Sequence, residues 1–370
     1  MQTDNLLIEI DGAEVPELKC DLISLEIELD DELAGMFRMT VGLLLTENGS
    51  WTYLDDDRFR IWRKVAITAG LKGDSQRLLT GYITHLRPEF GIGMEQCRLE
   101  VWGMDASVLM DRIEVLKAWP NMKDSDIASQ LFSKAGLTPQ VTDTAVVHDE
   151  NVSTIVQRET DIRLLKRLAL RNGFECFVDG STGRFQPPVI GSSAQPVLAV
   201  HAGDQTNVNR FRLEVSALSP ANVAMSEIDH GTGEVLTATA QSGHQPALGA
   251  SRPADSLPAG IAPGQLFIGQ TVATGAPEMA TLCQTLFDQG EWFVTGEGEV
   301  AANQYGSILM PRRTVMVNGV GETHSGAYYV THVTHRFTED SYTQLFRVKR
   351  NALVSSGPGG GPPAGTAGAS

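Results

Sequence analysis

Hydrophobic and polar positions alternate along two extended segments close to the C-terminal end of the chain. Residues 325–337 and 342–350 are rich in Tyr, Val and Thr, and the four polar residues 338–341 separate them. Alternation in β-branched and aromatic residues is typical of strands, and a loop of this length is common in hairpins. The pattern therefore predicts an antiparallel hairpin that completes the fold at Asn351.

Residues 1–118 show the same alternation in several shorter segments. Ile23, Leu25, Ile27 and Leu29 alternate with Ser24, Glu26, Glu28 and Asp30, which predicts a strand with one buried face. Further strands are predicted at residues 37–45, 64–69, 78–87 and 96–102, separated by turn residues. Short strands at this spacing favour a small β-barrel domain.

The period changes to that of helices within residues 119–200, which predicts an α/β insert domain. One helix is predicted to end near Ala135, with Asp124 or Ser125 as its N-cap. A second is predicted at residues 161–171, with Thr160 as N-cap and Gly173 as the stop. A strand at residues 174–178 completes the insert.

Strand patterns return in residues 201–352, which predicts a second β-barrel domain. Its strands are expected at residues 210–218, 222–228 and 234–240, followed by a long loop at 241–264 and a helix at 278–289. Residues 353–370 are rich in Gly and Pro and carry no charge, so a flexible tail is expected. The predicted fold class is mainly β with an α/β insert (α+β).

Length and composition describe a globular chain without targeting segments. The chain has 370 residues, of which 42% are hydrophobic, and a net charge of −16. This charge disfavours a nucleic-acid-binding surface, which needs clustered Lys and Arg. Neither a signal peptide nor an apolar run long enough for a membrane helix is expected. The four widely spaced cysteines, Cys20, Cys97, Cys176 and Cys283, are interpreted as buried free thiols in a reducing compartment.

Candidate chemistry is sparse. His332 and His335 stand three residues apart on a predicted strand, so they should point to opposite faces and not share a metal ion, and His324 does not complete such a site. The acidic run at residues 55–57 is interpreted as a solvated loop beside Arg58 and Arg60. We therefore expect no catalytic residue, no metal site and no cofactor.

Six short segments in a fixed order resemble the late control protein D family. They are LTGYI (79–83), LEVWGMD (99–105), QRETDIRLLKRL (157–168), TGEGE (295–299), SGAYYV (325–330) and FRVKRN (346–351). That family supplies the baseplate hub of contractile phage tails and is similar to the amino-terminal half of the valine-glycine-repeat spike proteins of type VI secretion. The resemblance covers roughly residues 6–351 and implies two tube-like β-barrel domains that flank the small α/β domain.

The resemblance also implies partners and a location. It implies a homotrimer, in which two barrels per chain match a hexameric inner tube or a tube-initiator protein on one side. A trimeric spike protein and other baseplate proteins would bind elsewhere, with no sequence-specific nucleic acid binding and no membrane insertion. Assembly in the bacterial cytoplasm and then a place in the baseplate of a phage virion or an injection particle follow, and the sequence does not choose between the two particles.

Two other functions remain open from the sequence. One is a carbohydrate- or peptidoglycan-binding module built around residues 123–137, although the 5 Trp and 6 Tyr are scattered along the chain. The other is a tail-associated cell-wall hydrolase that uses a pair of carboxylates. Such a pair must face each other across a cleft, and a sequence does not show that geometry.

Overall fold

The computed structural model describes residues 6–71, 73–191, 194–218, 222–229, 232–269 and 273–354. The predicted tail therefore lies almost entirely outside the described residues. Parts of two segments whose residues predict turns, 72–74 and 230–233, lie outside them as well. The chain is mainly β, with a few helices, as the sequence predicts. None of the helices in the described ranges has the length and apolar character needed to span a bilayer.

The strands and helices are as follows in chain order. The first group is β1 (Leu6–Ile10), β2 (Ala13–Glu14), α1 (Leu18–Asp21), β3 (Leu22–Asp30), β4 (Met36–Gly42), β5 (Lys64–Leu71), β6 (Asp74–Glu89) and β7 (Arg98–Asp105). The second is β8 (Glu114–Trp119), β9 (Met122–Lys123), α2 (Asp124–Lys134), β10 (Thr138–Val141), β11 (Val147–His148), β12 (Ile155–Thr160), α3 (Asp161–Asn172), β13 (Glu175–Asp179) and β14 (Thr182–Gln186). The third is β15 (Gln195–Ala199), β16 (Arg210–Val215), β17 (Asn222–Ile228), β18 (Val235–Ala240), β19 (Gln265–Ile268), α4 (Ala276–Gly290), β20 (Val294–Ala301), α5 (Ala302–Tyr305), β21 (Thr314–Asn318), β22 (Gly326–Thr338) and β23 (Tyr342–Arg350).

A single 13-stranded sheet contains strands from both ends of the chain. Its main order is β16-β20-β23-β22-β3-β4-β7-β6-β5-β1-β2, and β21 branches from β22 to carry β15. The pairing of β22 with β3 joins the two strand-rich regions directly. Among the described strands β16 and β2 end this order without meeting, so two closed barrels remain a prediction, as do the domain boundaries.

One face of this sheet is buried and the other is polar. The period of two along each strand places Leu25, Ile27 and Leu29 in a hydrophobic cluster under β3–β7, and the equivalent positions of β20–β23 cover a second cluster. Ile23 departs from the prediction and is 50% exposed. A β-bulge between Leu22 and Ser24 shifts the alternation there, because a bulge adds one unpaired residue to a strand.

The insert packs two helices against a three-stranded sheet of order β10-β14-β13, with its own apolar cluster. Helices α2 and α3 confirm the predicted helices, and Gly173 ends α3 with φ 66°, as expected for a left-handed cap. The predicted caps are only partly right. Lys123, not Asp124 or Ser125, is the N-cap of α2. Thr160 is the N-cap of α3, as predicted, but its hydroxyl donates to Asp111 (2.6 Å) and not to a backbone N–H of the helix.

A further small sheet of order β18-β17-β19 is inserted between β16 and β20. Helix α4 covers one face of it, and Met279, Cys283 and Phe287 pack against Val223 and Met225. Helix α4 confirms the helix predicted at residues 278–289.

The long predicted loop is held against the last strand by a buried arginine. Arg350 is fully buried and donates to the carbonyl oxygens of Leu248 (3.0 and 3.1 Å), His324 (3.2 Å) and Ser325 (3.2 Å). Asn351 accepts from the N–H of Leu248 at 2.9 Å. Residues 246–251 of the loop are therefore attached to the end of the sheet. Side chains of Arg350 and Asn351 satisfy backbone groups of Pro246 and Leu248, and the backbone of Leu353 pairs with Ala250 and Ser251.

We predict that Arg350→Ala lowers the free energy of unfolding by about 3 kcal/mol, because several buried carbonyl oxygens lose a charged donor. Denaturant unfolding measures the loss, and limited proteolysis should cut the loop at 241–264 faster. Arg347→Ala is the matched control, since Arg347 is exposed three residues earlier on the same strand. Equal stability of the two variants would contradict the attachment.

Candidate assembly surface at the junction of two sheet units

The large sheet consists of two units with the same strand order. In the first unit, β3–β7, the order is β3-β4-β7-β6-β5. In the second unit, formed by β16 and β20–β23, it is β16-β20-β23-β22-β21. The fifth strand of each unit then takes one more partner, β1 in the first and β15 in the second. The chain thus carries an internal structural repeat.

The long fourth strands of the two units match in local geometry. Both β6 and β22 have a β-bulge, at Thr84 and at Thr331. The Thr84 hydroxyl donates to the Trp102 carbonyl (3.3 Å), and the Thr331 hydroxyl donates to the Arg347 carbonyl (3.2 Å). Because bulges are specific local features, their agreement in position and hydrogen bonding defines which residues are equivalent.

The turns before β5 and β21 agree as well. Trp62 and Arg312 both have positive φ, at 70° and 61°, which few non-glycine residues adopt. Each donates its backbone N–H at 2.8 Å to the residue before the bulge, Ile83 in one unit and Val330 in the other. The equivalence therefore extends beyond the strands themselves.

The sequence carries a signal for this repeat that the predictions from the chain alone do not include. The segment Tyr-Ile-Thr-His-Leu at 82–86 matches Tyr-Val-Thr-His-Val at 329–333, and a phenylalanine follows each at the same distance, Phe90 and Phe337. The matched residues include the bulge threonine and the tyrosine before it. Comparison of the two strand-rich regions with each other would have found the repeat.

The two units meet where β22 pairs with β3 in antiparallel register. His332 lies opposite Asp30 and their side chains meet at 3.0 Å, with His332 Nδ1 against the Asp30 carboxylate. Arg336 lies opposite Glu26 at 3.3 Å, and Arg38 on β4 reaches the same carboxylate at 3.5 Å. Opposite charges therefore line this junction on the polar face of the sheet.

A cluster of buried and half-buried side chains fixes the insert against the same junction. Arg312 donates to the backbone oxygen of Asp30 and stacks over the Phe177 ring of β13, with 3.8 Å from its Cζ to the ring centroid. Tyr329 donates to Glu175 of β13. Lys349 pairs with Asp31 at 3.0 Å. We call this set the junction cluster; its members are Asp30, Asp31, Glu175, Arg312, Tyr329, His332 and Lys349.

The carboxyl groups of the junction cluster differ in electrostatic environment. Burial favours the neutral form of Asp30, but hydrogen bonds from His332 and from the N–H groups of Glu32 and Leu33 outweigh it and hold the pKa at about 2. Burial raises the pKa of Glu175 above its ordinary value, against the effect of the Tyr329 hydrogen bond. Burial, together with Glu175, raises the pKa of Tyr329.

Clefts open on both sides of the junction cluster. One, of about 310 Å³, lies between the first unit and the insert and includes Arg184 and Arg312. The other, of about 540 Å³, lies on the polar face and includes Arg212, Glu297 and Arg347. Charged side chains of both signs line these clefts, which suits recognition of another protein surface more than a small apolar ligand.

The predicted histidine geometry is confirmed. His332 lies on the polar face, whereas His335 is fully buried on the other face and contacts the Tyr342 hydroxyl at 2.9 Å. Burial lowers the pKa of His335 to about 3. In the part of the chain that the structure describes, no group of three or more ligating side chains is placed to hold a metal ion.

The acidic run at residues 55–57 forms a turn, as predicted. Asp56 caps a short 3₁₀ helix and pairs with Arg58 at 2.7 Å, and Asp57 pairs with Arg60 at 3.1 Å. The cysteine prediction is partly wrong. All four thiols are free, but Cys20 is exposed, because it lies on the outer side of the single-turn helix α1.

Solved structures with the same fold are phage tail and secretion components. The chain superimposes on a 43 kDa tail protein of prophage MuSo2 from Shewanella oneidensis with TM-score 0.67, 15% identity and coverage of 94% of this chain and 99% of that one. A tail protein from Neisseria meningitidis gives 0.65, 13%, 95% and 97%. A type VI secretion system component from E. coli gives 0.56, 13%, 96% and 79%. At these identities the likeness shows a shared fold.

The chain belongs to the Alg8 N-terminal domain family, whose model matches residues 3–339. No curated protein matches it in sequence. The expectation of a tail-protein fold is confirmed, whereas the assignment to the late control protein D family stays a prediction.

We predict that Asp30→Asn destabilises the protein by about 1 kcal/mol at pH 7. The folded-state pKa of Asp30 lies below its ordinary value of 3.8, so its stabilising effect is present above pH 3.8 and is lost as pH falls towards 2. Thermal unfolding at several pH values measures this. The difference between Asp30→Asn and the parent should shrink from pH 4 to pH 2, while Glu28→Gln on the same strand serves as the control. A difference that stays constant across this range would contradict the assignment.

Proposed function

We propose that the protein is a structural hub in the baseplate of a contractile phage tail or a phage-tail-like injection system. In this proposal three copies form a ring that adapts a hexameric inner tube to a trimeric spike. The observation that carries it is the internal repeat, because three chains with two equivalent units each present six similar units around one axis. A closed ring of identical chains needs head-to-tail contacts whose rotation closes.

The surface chemistry supports this role. The polar face of both units carries opposite charges on neighbouring strands, such as Arg38 and Glu26 or Arg212 and Glu297 (3.9 Å). Charge pairs of this kind on an exposed face give specificity and correct register to protein contacts more than they give stability. A surface of this kind suits repeated docking of tube subunits.

The solved structures with this fold support the same class of function. They are tail proteins and a component of the type VI secretion system with structural similarity to T4 tail proteins gp27 and gp5. We extend to this chain a structural role and a place in the virion or injection particle. Its proposed partners are a spike protein, an inner tube or tube-initiator protein and other baseplate proteins. We propose no catalytic role and no cofactor.

We predict that the purified chain forms a particle of about three times 39.9 kDa, which light scattering on a sizing column measures. Averaged electron-microscope end views should show a ring with six similar lobes and three-fold symmetry. Addition of the inner-tube protein from the same source should place that protein on one side of the ring.

Contrary outcomes are distinct. Particles with two or four chains would contradict the symmetry match, because four or eight units do not fit a hexameric tube. Clearing of a cell-wall suspension by the purified ring would instead favour the hydrolase alternative, and retention on purified cell wall would favour the carbohydrate-binding one.

A further inference from the structure

Several strand edges of the large sheet have no partner within the described residues, and those of β6 and β16 are two of them. Beyond Ile83, strand β6 pairs only with β7, so its second half, from His85 to Glu89, has an open side. At the other end of the sheet, β16 pairs only with β20. Unpaired edges expose backbone N–H and C=O groups that readily accept another strand.

The internal repeat shows that these two edges are complementary. In the second unit, the strand equivalent to β6 is β22, and its outer side is occupied by β3. The first-unit strand equivalent to β16 is that same β3, since both stand first in their units. The β22–β3 junction inside the chain is therefore a copy of the contact that an open β6 and an open β16 would make. Since both open edges lie on one chain, the contact must join two copies.

The register of this contact follows from the equivalent pairs. In the chain, Thr334 lies opposite Glu28 and Arg336 lies opposite Glu26. The equivalent residues are found by following the strand pairs of each unit, from β6 through β7 and β4 to β3 in the first and from β22 through β23 and β20 to β16 in the second. They are Arg87 opposite Glu214 and Glu89 opposite Arg212. Both derived pairs join opposite charges. The Glu89 and Arg212 pair carries the charges of Arg336 and Glu26 in reverse, so the attraction is kept although both residues differ.

Apolar side chains at the open edges support the same contact. Phe337 and Leu29 are 4% and 8% exposed at the internal junction. Their equivalents Phe90 and Val215 are 53% and 46% exposed. Covering these side chains with a second strand would remove apolar surface from water, which is the main favourable term in association.

Pro88 introduces one difference between the two junctions. It occupies the position of His335, and it has no N–H to donate. The intermolecular ladder would therefore have one backbone hydrogen bond fewer than the internal one. The open edge of β6 therefore binds a strand without matching charges more weakly, and the charge pairs contribute more of the selectivity for the correct partner strand.

We propose that β16 of one copy pairs in antiparallel register with the open edge of β6 in a neighbouring copy, through Arg87 with Glu214 and Glu89 with Arg212. This deepens the proposed function and rests on it, since the pairing supplies the contact that closes the ring. Head-to-tail repetition of the contact continues the sheet from chain to chain, with junctions inside and between chains alternating.

Cysteine cross-linking tests the register. The N–H of Asp31 donates to Thr331 O at 2.8 Å, so the Thr334 and Glu28 pair is one that exchanges no backbone hydrogen bonds. Such pairs have Cα atoms about 4.5 Å apart, within the range of a disulfide. In a Cys20→Ser background, the full-length variant Arg87→Cys with Glu214→Cys should lose its monomer band on non-reducing gels after mild oxidation and give covalent dimers and trimers.

Two matched variants make the result decisive. Thr334→Cys with Glu28→Cys places the same pair at the internal junction and should form an intrachain disulfide without a change in mass. Arg87→Cys with Arg210→Cys shifts the pair by four residues and should leave the monomer band. The proposal would be overturned if only the shifted pair linked chains into oligomers. It would also be overturned if the internal control formed its disulfide while Arg87→Cys with Glu214→Cys gave no linkage between chains.

A charge swap gives an independent measurement without cysteines. Arg212→Glu places two like charges opposite each other and should shift the sizing-column profile towards the monomer. Adding Glu89→Arg should restore the oligomer. If Arg212→Glu leaves the oligomer unchanged at low and high salt, this contact is overturned. A three-copy ring that fails the cross-linking test would keep the proposed hub and reject this contact; linked chains that form an open filament would keep the contact and reject the ring.

Discussion

The pairing of β22 with β3 is the constraint on which the rest of the structure depends. It joins strands about 300 residues apart and turns two separate units into one sheet with a single buried face. Because a register slip of one residue would move every side chain of a strand to the opposite face, the pairing also fixes which charges meet on the polar side. The junction cluster attaches the insert to this β22–β3 junction, so the junction determines where the insert lies relative to both units.

Local features of the structure were predictable from the sequence, and the long-range pairing was not. The hairpin of β22 and β23 and the helices α2, α3 and α4 follow from periodicity and stop signals, since these depend on neighbouring residues. The bulge that exposes Ile23 depends on how β3 meets β4, and the role of Thr160 depends on Asp111, which lies outside its own helix. No local pattern specifies such partners.

The junction shows a different limit of sequence reasoning. Arg312, Glu175 and Lys349 are ordinary charged residues in the sequence, and only the fold brings them together around Asp30. A signal did exist in the repeated Tyr-x-Thr-His segment, but its meaning requires the knowledge that the two copies lie in equivalent bulged strands. The sequence singles out His332 only by its spacing from His335, whereas its position beside Asp30 gives it a part in strand pairing.

The distance along the chain between β3 and β22 has a consequence for synthesis on the ribosome. Strand β3 is synthesised early, and its partner β22 emerges only after about 300 further residues. During that interval the backbone N–H and C=O groups along one edge of β3 have no partner strand. Because β3 and β16 are equivalent, this unpaired edge of β3 resembles the edge of β16 that we propose pairs with β6. A growing chain close to its neighbours could therefore exchange the wrong strand, and the reversed charges opposite Glu89 and Arg336 distinguish correct from incorrect partners during that interval.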